Sequence, residues 1–157
     1  MSASITPFAK PSDRELVITR VFNAPRALVF RAWTDPKLAI QWWGPKHHPG
    51  VEVQMDVRVG GEWSGCLRSE ETGVVLWHRG VYREIVPNER LVFTFAWDEE
   101  GERGMENIIA LTFADEGSKT RMTLRQTPFQ SVAERDGHGE GWGSAFDRLE
   151  ESLAARG

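Results

Sequence analysis

The chain of 157 residues (17.8 kDa) has 40% hydrophobic and 27% charged residues and a mean hydropathy of −0.42. That is the balance of one soluble globular domain and not of a disordered, collagenous or coiled-coil chain. Its net charge of −4 and pI near 5.6 give no basic footprint for nucleic acid, and its longest unbroken apolar runs, such as 74–77 and 108–111, are far shorter than the ~20 residues of a membrane helix. The single cysteine, Cys66, excludes an intramolecular disulfide and a multi-cysteine metal site, and it reads as a small packed residue in a strand. One skew stands out: seven Trp and eight Phe accompany a single Tyr. Trp buries a large area and brings one donor, so this load demands a large core, a lined cavity, or both.

Residues 1–13 carry two prolines, several hydroxyl residues and no apolar signal region. They read as a flexible arm before a single domain over 14–157, with the cytoplasm as the expected location. Residues 15–22 (ELVITRVF) are rich in β-branched side chains and predict a strand. Asn23-Ala24-Pro25 then opens a short helix whose Val29, Phe30 and Trp33 share one face. Thr34-Asp35-Pro36 ends it and starts a second, capped by Asp35. Leu38, Ala39 and Trp42 form the buried side of that second helix, and Gly44-Pro45 stops it.

The middle of the chain is a run of strands. Val51, Val53, Met55, Val57 and Val59 alternate with Glu52, Gln54, Asp56 and Arg58, predicting a strand over 51–59 with one buried and one wet face. Further strands are predicted over 62–69, 74–86, 90–97, 106–114 and 119–126, seven in all. The connections between them are short, so consecutive strands pair antiparallel. The acidic stretch 98–102 reads as a solvated hairpin turn. At the end the period changes. Trp142, Ala145, Phe146, Leu149 and Leu153 form the apolar stripe of a helix from about 141 to 155, with Arg148, Glu150, Glu151 and Arg156 on its other side. Gly137 and Gly139 predict an interruption before it. A curved antiparallel sheet wrapped round the terminal helix buries both apolar surfaces and leaves room for a concave apolar pocket.

The segments VFNAPRALVFRAWTDPKLAIQWWGP (21–45), DVRVGGEWSG (56–65), GVYREIVPNERLVFTF (80–95), TRMTL (120–124) and GWGSAFDRLEESL (141–153) carry a resemblance over about residues 15–155. The chain resembles bacterial domains similar to the C-terminal domain of the activator of the 90-kDa heat-shock protein ATPase (AHSA-type). These belong to the START-like, helix-grip (SRPBCC) superfamily, which includes the birch-pollen-allergen fold. The resemblance implies an α+β helix-grip fold: a curved seven-stranded antiparallel sheet round a long C-terminal helix, with two short helices between strands 1 and 2 and an internal apolar cavity. It implies no single activity. Relatives in the superfamily bind lipids, polyketides, hormones or drugs, some are cyclases, and the name-giving member stimulates a chaperone ATPase.

The residues themselves offer little catalytic machinery. There is no Gly-x-Ser-x-Gly elbow, no phosphate loop and no dinucleotide fingerprint after a strand. The alternating glycines 137, 139, 141 and 143 precede a helix without a βαβ unit and read as a hinge. His47, His48, His78 and His138 lack metal-ligand spacing, so neither a metal nor a cofactor is expected. Polar side chains among apolar ones on strands are the remaining signal. On residues 74–86 one face carries Leu76, His78, Gly80, Tyr82 and Glu84, the other Val75, Trp77, Arg79, Val81 and Ile85, and alternation does not decide which is inward. The leading expectation is a non-enzymatic domain holding a small hydrophobic or aromatic ligand between sheet and helix, with Trp63, Trp77, His78, Tyr82, Phe95, Trp97, Trp142 and Phe146 as its candidate binding residues. A cyclase- or hydrolase-type enzyme in the same cavity, with His78, Glu84 or Glu106 as acid or base, and a chaperone-associated interaction module are the alternatives. The sequence leaves the oligomeric state open.

Overall fold

The elements follow from the side-chain patterns and run in the expected order. In the computed structural model, residues 13–99, 102–103 and 105–156 are described; apart from Asp13, the expected arm lies outside them. The chain forms β1 (Leu16–Phe22), α1 (Arg26–Thr34), α2 (Pro36–Ala39), β2 (Gly50–Met55), β3 (Glu62–Arg68), β4 (Val75–Val86), β5 (Arg90–Glu99), β6 (Glu102–Arg103), β7 (Asn107–Glu116), β8 (Lys119–Thr127) and α3 (Val132–Arg156). The sheet order is β1-β8-β7-β5-β4-β3-β2, with every pair antiparallel, and β6 adds a short pairing to the end of β5. The path through the sheet therefore has seven strands with a long C-terminal helix, the helix grip.

Period-2 burial decides which face meets the helix. Ile109, Leu111 and Phe113 of β7, Met122 and Leu124 of β8, and Leu91, Phe93 and Phe95 of β5 are buried, as are Trp142, Ala145, Phe146, Leu149 and Leu153 of α3. They join one core cluster with Val29, Phe30 and Trp33 of α1. Asp35 accepts from the Lys37 backbone N–H at 2.9 Å and starts α2 as expected. Trp33 and Trp42, both inside, pack edge to face with ring centroids 4.7 Å apart and close one end of the sheet.

Two expectations are corrected. The alternating stretch 51–59 yields a strand only to Met55, and its apolar side chains form a core face only in part: Val53 and Met55 are half-buried against the core, whereas Val51 is 50% and Val59 62% exposed. β2 is the last strand of the sheet, so it is covered less fully than the central strands. The terminal helix also begins at Val132 and passes through all four glycines without a break. Ser131 supplies the reason. Its Oγ accepts from the Glu134 N–H at 3.0 Å, and the Glu134 carboxylate accepts from the Gln130 N–H at 3.1 Å, a close variant of the capping box that starts the helix about nine residues early.

None of the residues from Val132 to Gly141 is fully buried, whereas Trp142, Phe146 and Leu149 anchor the second half. The first half of α3 is thus built from weak helix formers with little packing behind them. A methyl group at Gly137 or Gly141 would meet nothing within 4 Å. Gly137→Ala and Gly141→Ala should therefore each stabilise the domain by about 1 kcal/mol in urea unfolding. A loss of stability in either would show that the cleft beneath them is narrower than described below.

Candidate functional site

Beneath the glycine-rich half of α3 lies a cleft of about 280 Å³. Its floor is the inner face of β3, β4 and β5, which contributes Leu67, Leu76, His78, Phe95 and Trp97. Trp43, Pro45 and His48 of the α2–β2 loop form one wall, and Gly137, His138, Gly141 and Trp142 of α3 form the roof. Where a side chain would otherwise fill the space, α3 presents glycine.

The loop wall is fixed by α3 itself. The Arg148 guanidinium donates to the backbone carbonyls of Trp43 (2.9 Å), Gly44 (2.8 Å) and Gln41 (3.2 Å), and Ser144 Oγ accepts from the Lys46 N–H at 2.9 Å. Arg148 is therefore a partly buried clamp, not the solvent-side residue that the helical wheel suggested. Gly44 sits at φ +84°, where a Cβ would lie 2.5 Å from the His48 carbonyl oxygen. Only glycine lets the chain turn there.

His78 lies at the centre of the floor, 2% exposed. Its Nε2 accepts from the Trp43 indole N–H at 2.8 Å. Its ring stacks on Trp43 and Phe95 (centroids 5.9 and 5.3 Å apart), and Trp97 meets it edge-on at 4.9 Å. Gly65 is its cross-strand partner; a Cβ there would lie 2.6 Å from His78 Nε2 and 2.8 Å from Trp43 Nε1, so the hydrogen bond requires that glycine. A second pair repeats the pattern across the cleft: the Trp97 indole donates to His138 Nε2 at 3.1 Å. Trp142 donates to Gln126 Oε1 (2.9 Å), and Gln126 in turn donates to Asn107 Oδ1 (3.0 Å). The indoles of Trp33, Trp42 and Trp63 donate to Met122 sulfur, the Ala32 carbonyl and the Thr94 carbonyl. None of these six indoles offers a free N–H to the cleft.

Of the candidate residues, His78, Phe95, Trp97 and Trp142 line the cleft. Trp63 and Tyr82 lie deeper, beside a void of only about 10 Å³, and Phe146 is fully buried among Phe22, Trp33, Trp42 and Trp142. These three are core. Trp77 is on the opposite face of β4 and 38% exposed, because the face bearing His78, Gly80 and Tyr82 is the inward one. Trp43, His138, Gly137 and Gly141 complete the cleft and were not among the candidates. The WWGP segment and the glycine run were the signals that pointed to them.

Glu84 pairs with Arg90 at 2.9 Å and Glu106 lies 4.0 Å from Arg83, both away from the cleft. Among the described residues no group of three or more His, Cys, Asp or Glu is placed to hold a metal, and His47 faces Glu70 instead. Cys66 is buried, its thiol pushed up by burial and by Glu52. A second hollow of about 420 Å³ shares His48 and Leu76 with the cleft, but no Trp or Phe borders it.

Burial pushes the His78 imidazole down to about 4; the Leu76 backbone opposes that shift and His138 adds to it. Its Nδ1 faces the Leu76 backbone without a well-formed hydrogen bond. Burial also lowers His138, against the pull of Glu134. In the unfolded chain both titrate near 6.5. Below that value the unfolded state takes up protons that the folded state refuses, so stability present above pH 6.5 is lost as pH falls toward 4. For His78 alone the loss reaches roughly 3 kcal/mol by pH 4. His78→Gln keeps an acceptor for Trp43 and does not titrate. Urea midpoints taken from neutral pH to about pH 4.5 should fall steeply in the parent and less steeply in this variant; identical slopes would contradict the assignment.

Comparison with known proteins fits this architecture. A model of the family "Activator of Hsp90 ATPase homolog 1-like protein" matches residues 23–154. A protein of known structure from Chromobacterium violaceum superposes with a TM-score of 0.82 at 25% identity, over 89% of this chain and 96% of its own. One from Nitrosomonas europaea gives 0.77 at 25% identity, over 91% and 96%, and an AHSA1 protein from Silicibacter pomeroyi gives 0.79 at 25%, over 91% and 99%. A search of curated proteins finds no match. Among the described residues no helix is long and apolar enough to cross a membrane. With a family match over most of its length and a helix-grip sheet to go with it, the chain belongs to the Activator of Hsp90 ATPase homolog 1-like family.

Proposed function

We propose that the domain binds a small, largely apolar ligand with one or two aromatic rings in the cleft between the sheet and α3. The observation that carries this reading is the lining itself: Trp43, Phe95, Trp97 and Trp142 surround a space of about 280 Å³ under a glycine roof. A dry cavity of roughly 150 Å³ accommodates benzene, and ligand pockets begin at about 300 Å³, so the cleft suits a two-ring molecule better than a lipid. Aromatic walls favour planar ligands through offset and edge contacts.

The enzyme alternative has less support. No carboxylate lines the cleft among the described residues, and the Nε2 lone pairs of His78 and His138 already accept from indoles, which leaves His48 at the rim. An acid–base pair within reach of a substrate is not assembled. A chaperone-associated role draws on the family's name. The apolar run at the start of β4, Val75 to Trp77, is 38–49% exposed, but successive side chains point to opposite faces of the strand: Leu76 borders the cleft and Trp77 the outer surface. That division does not make the contiguous patch a docking face requires.

Titration with naphthalene, followed by tryptophan fluorescence, should show saturable one-to-one binding. Gly141→Leu fills the cleft from a helix position with open space beside it, and it should weaken binding at least tenfold. Trp77→Phe should leave affinity unchanged. Absence of saturation, or binding indifferent to Gly141→Leu, would remove the proposal.

A further inference from the structure

The polar atoms of the cleft are unevenly spent, and the imbalance specifies the ligand further. An indole nitrogen can only donate. The hydrogen bonds from Trp43 to His78 and from Trp97 to His138 therefore require a bare lone pair on each Nε2. Each imidazole is then neutral and carries its proton on Nδ1. The two tryptophans act as tautomer locks, and both locks leave the same edge: a donor.

The acceptors nearest the cleft wall and roof already have donors. The carbonyls of Trp43 and Gly44 accept from Arg148, and Gln126 Oε1 accepts from Trp142. The N–H groups of Trp43, Trp97 and Trp142 are used as well. Two Nδ1–H donors remain. That of His78 is buried against the Leu76 backbone without a well-formed hydrogen bond. That of His138 belongs to a half-buried ring in the roof and makes no hydrogen bond among the described residues. His48, at the rim, has no locked tautomer. A donor on a ligand would thus find no side-chain acceptor in the depth of the cleft, whereas an acceptor would find an N–H already pointed by its indole partner. Unmatched polar groups are what discriminate between ligands of the same shape.

We propose that the cleft selects planar aromatic ligands bearing a hydrogen-bond acceptor on the ring system, a ring nitrogen or a carbonyl oxygen, and that His138 Nδ1–H is the donor that meets it. This rests on the ligand reading above. Recognition combines ring contacts with Phe95, Trp97 and Trp142 and one directed hydrogen bond from the roof, so the ligand lies across the cleft with its acceptor toward α3.

Quinoline and naphthalene have the same shape and differ by one ring nitrogen, which makes them a matched pair of probes. In a pocket with no donor, burying that nitrogen costs affinity, and naphthalene wins. At neutral pH the parent protein should bind quinoline at least as tightly as naphthalene. His138→Phe alone would free the Trp97 N–H as a substitute donor, so the decisive variant is the double Trp97→Phe, His138→Phe. It should shift preference toward naphthalene at least tenfold, read as the ratio of the two dissociation constants, so that any change in ring contacts common to both probes cancels. A naphthalene preference already present in the parent and unchanged in the double variant overturns the acceptor requirement while leaving the ligand site intact. A quinoline preference retained in the double variant overturns the assignment to His138. Failure of both probes to bind the parent overturns the ligand reading itself.

Discussion

Trp43 is held at both ends, and the cleft depends on it. Its carbonyl oxygen accepts from Arg148 of α3 and from the Gly50 N–H, while its indole N–H donates to His78 on β4. One residue thereby ties the terminal helix, the α2–β2 loop and the sheet together. The ring is 4% exposed and packs against Trp33, Trp42, Trp63, His78 and Trp142. Removing a buried indole of this kind costs about 3–5 kcal/mol by lost burial and cavity formation. Here it would also leave His78 Nε2 without its donor. The Gly65 vacancy and the left-handed Gly44 both serve this residue's position.

The two halves of α3 divide the work. From Trp142 onward the helix buries large side chains and fixes the fold; before it, the glycines remove side chains from the roof and lower helix propensity by about 1 kcal/mol each relative to alanine. Stability is given up where the space is made. What holds the weak half down is limited: the Ser131–Glu134 cap, the Trp97–His138 hydrogen bond, and ring contacts of His138 with Phe95 and Phe129. A segment with few buried contacts is the natural place for local opening.

Much of the fold was legible because period and punctuation agree along the chain. Residues 107–127 alternate cleanly and lie inside the sheet, and the Asp35-Pro36 cap and the Trp142–Leu153 stripe behave as their spacing requires. The same rule was right only in part at 51–59: Val53 and Met55 pack against the core, but alternation does not report whether a layer extends far enough to cover Val51, Val57 and Val59. The early start of α3 follows from Ser131-x-x-Glu134, a signal that a reading by glycine propensity alone does not use. For the site, the sequence supplied His78, Phe95, Trp97 and Trp142. Trp77 was misplaced because face choice on β4 depends on which side meets the helix, a tertiary fact. His138 was weighed only as a metal ligand and Arg148 only as a solvent-side residue, because their partners, Trp97 and the carbonyls of residues 41, 43 and 44, are distant in the chain.

The central claim is that two indole–imidazole hydrogen bonds lock the cleft histidines as neutral Nδ1–H tautomers. Long-range ¹H–¹⁵N spectra of the protein labelled at histidine nitrogen, recorded at neutral pH, test it most directly. The account predicts that His78 and His138 both show a protonated Nδ1 and a bare Nε2. A proton on Nε2 in either ring, or an imidazolium in both, would contradict it.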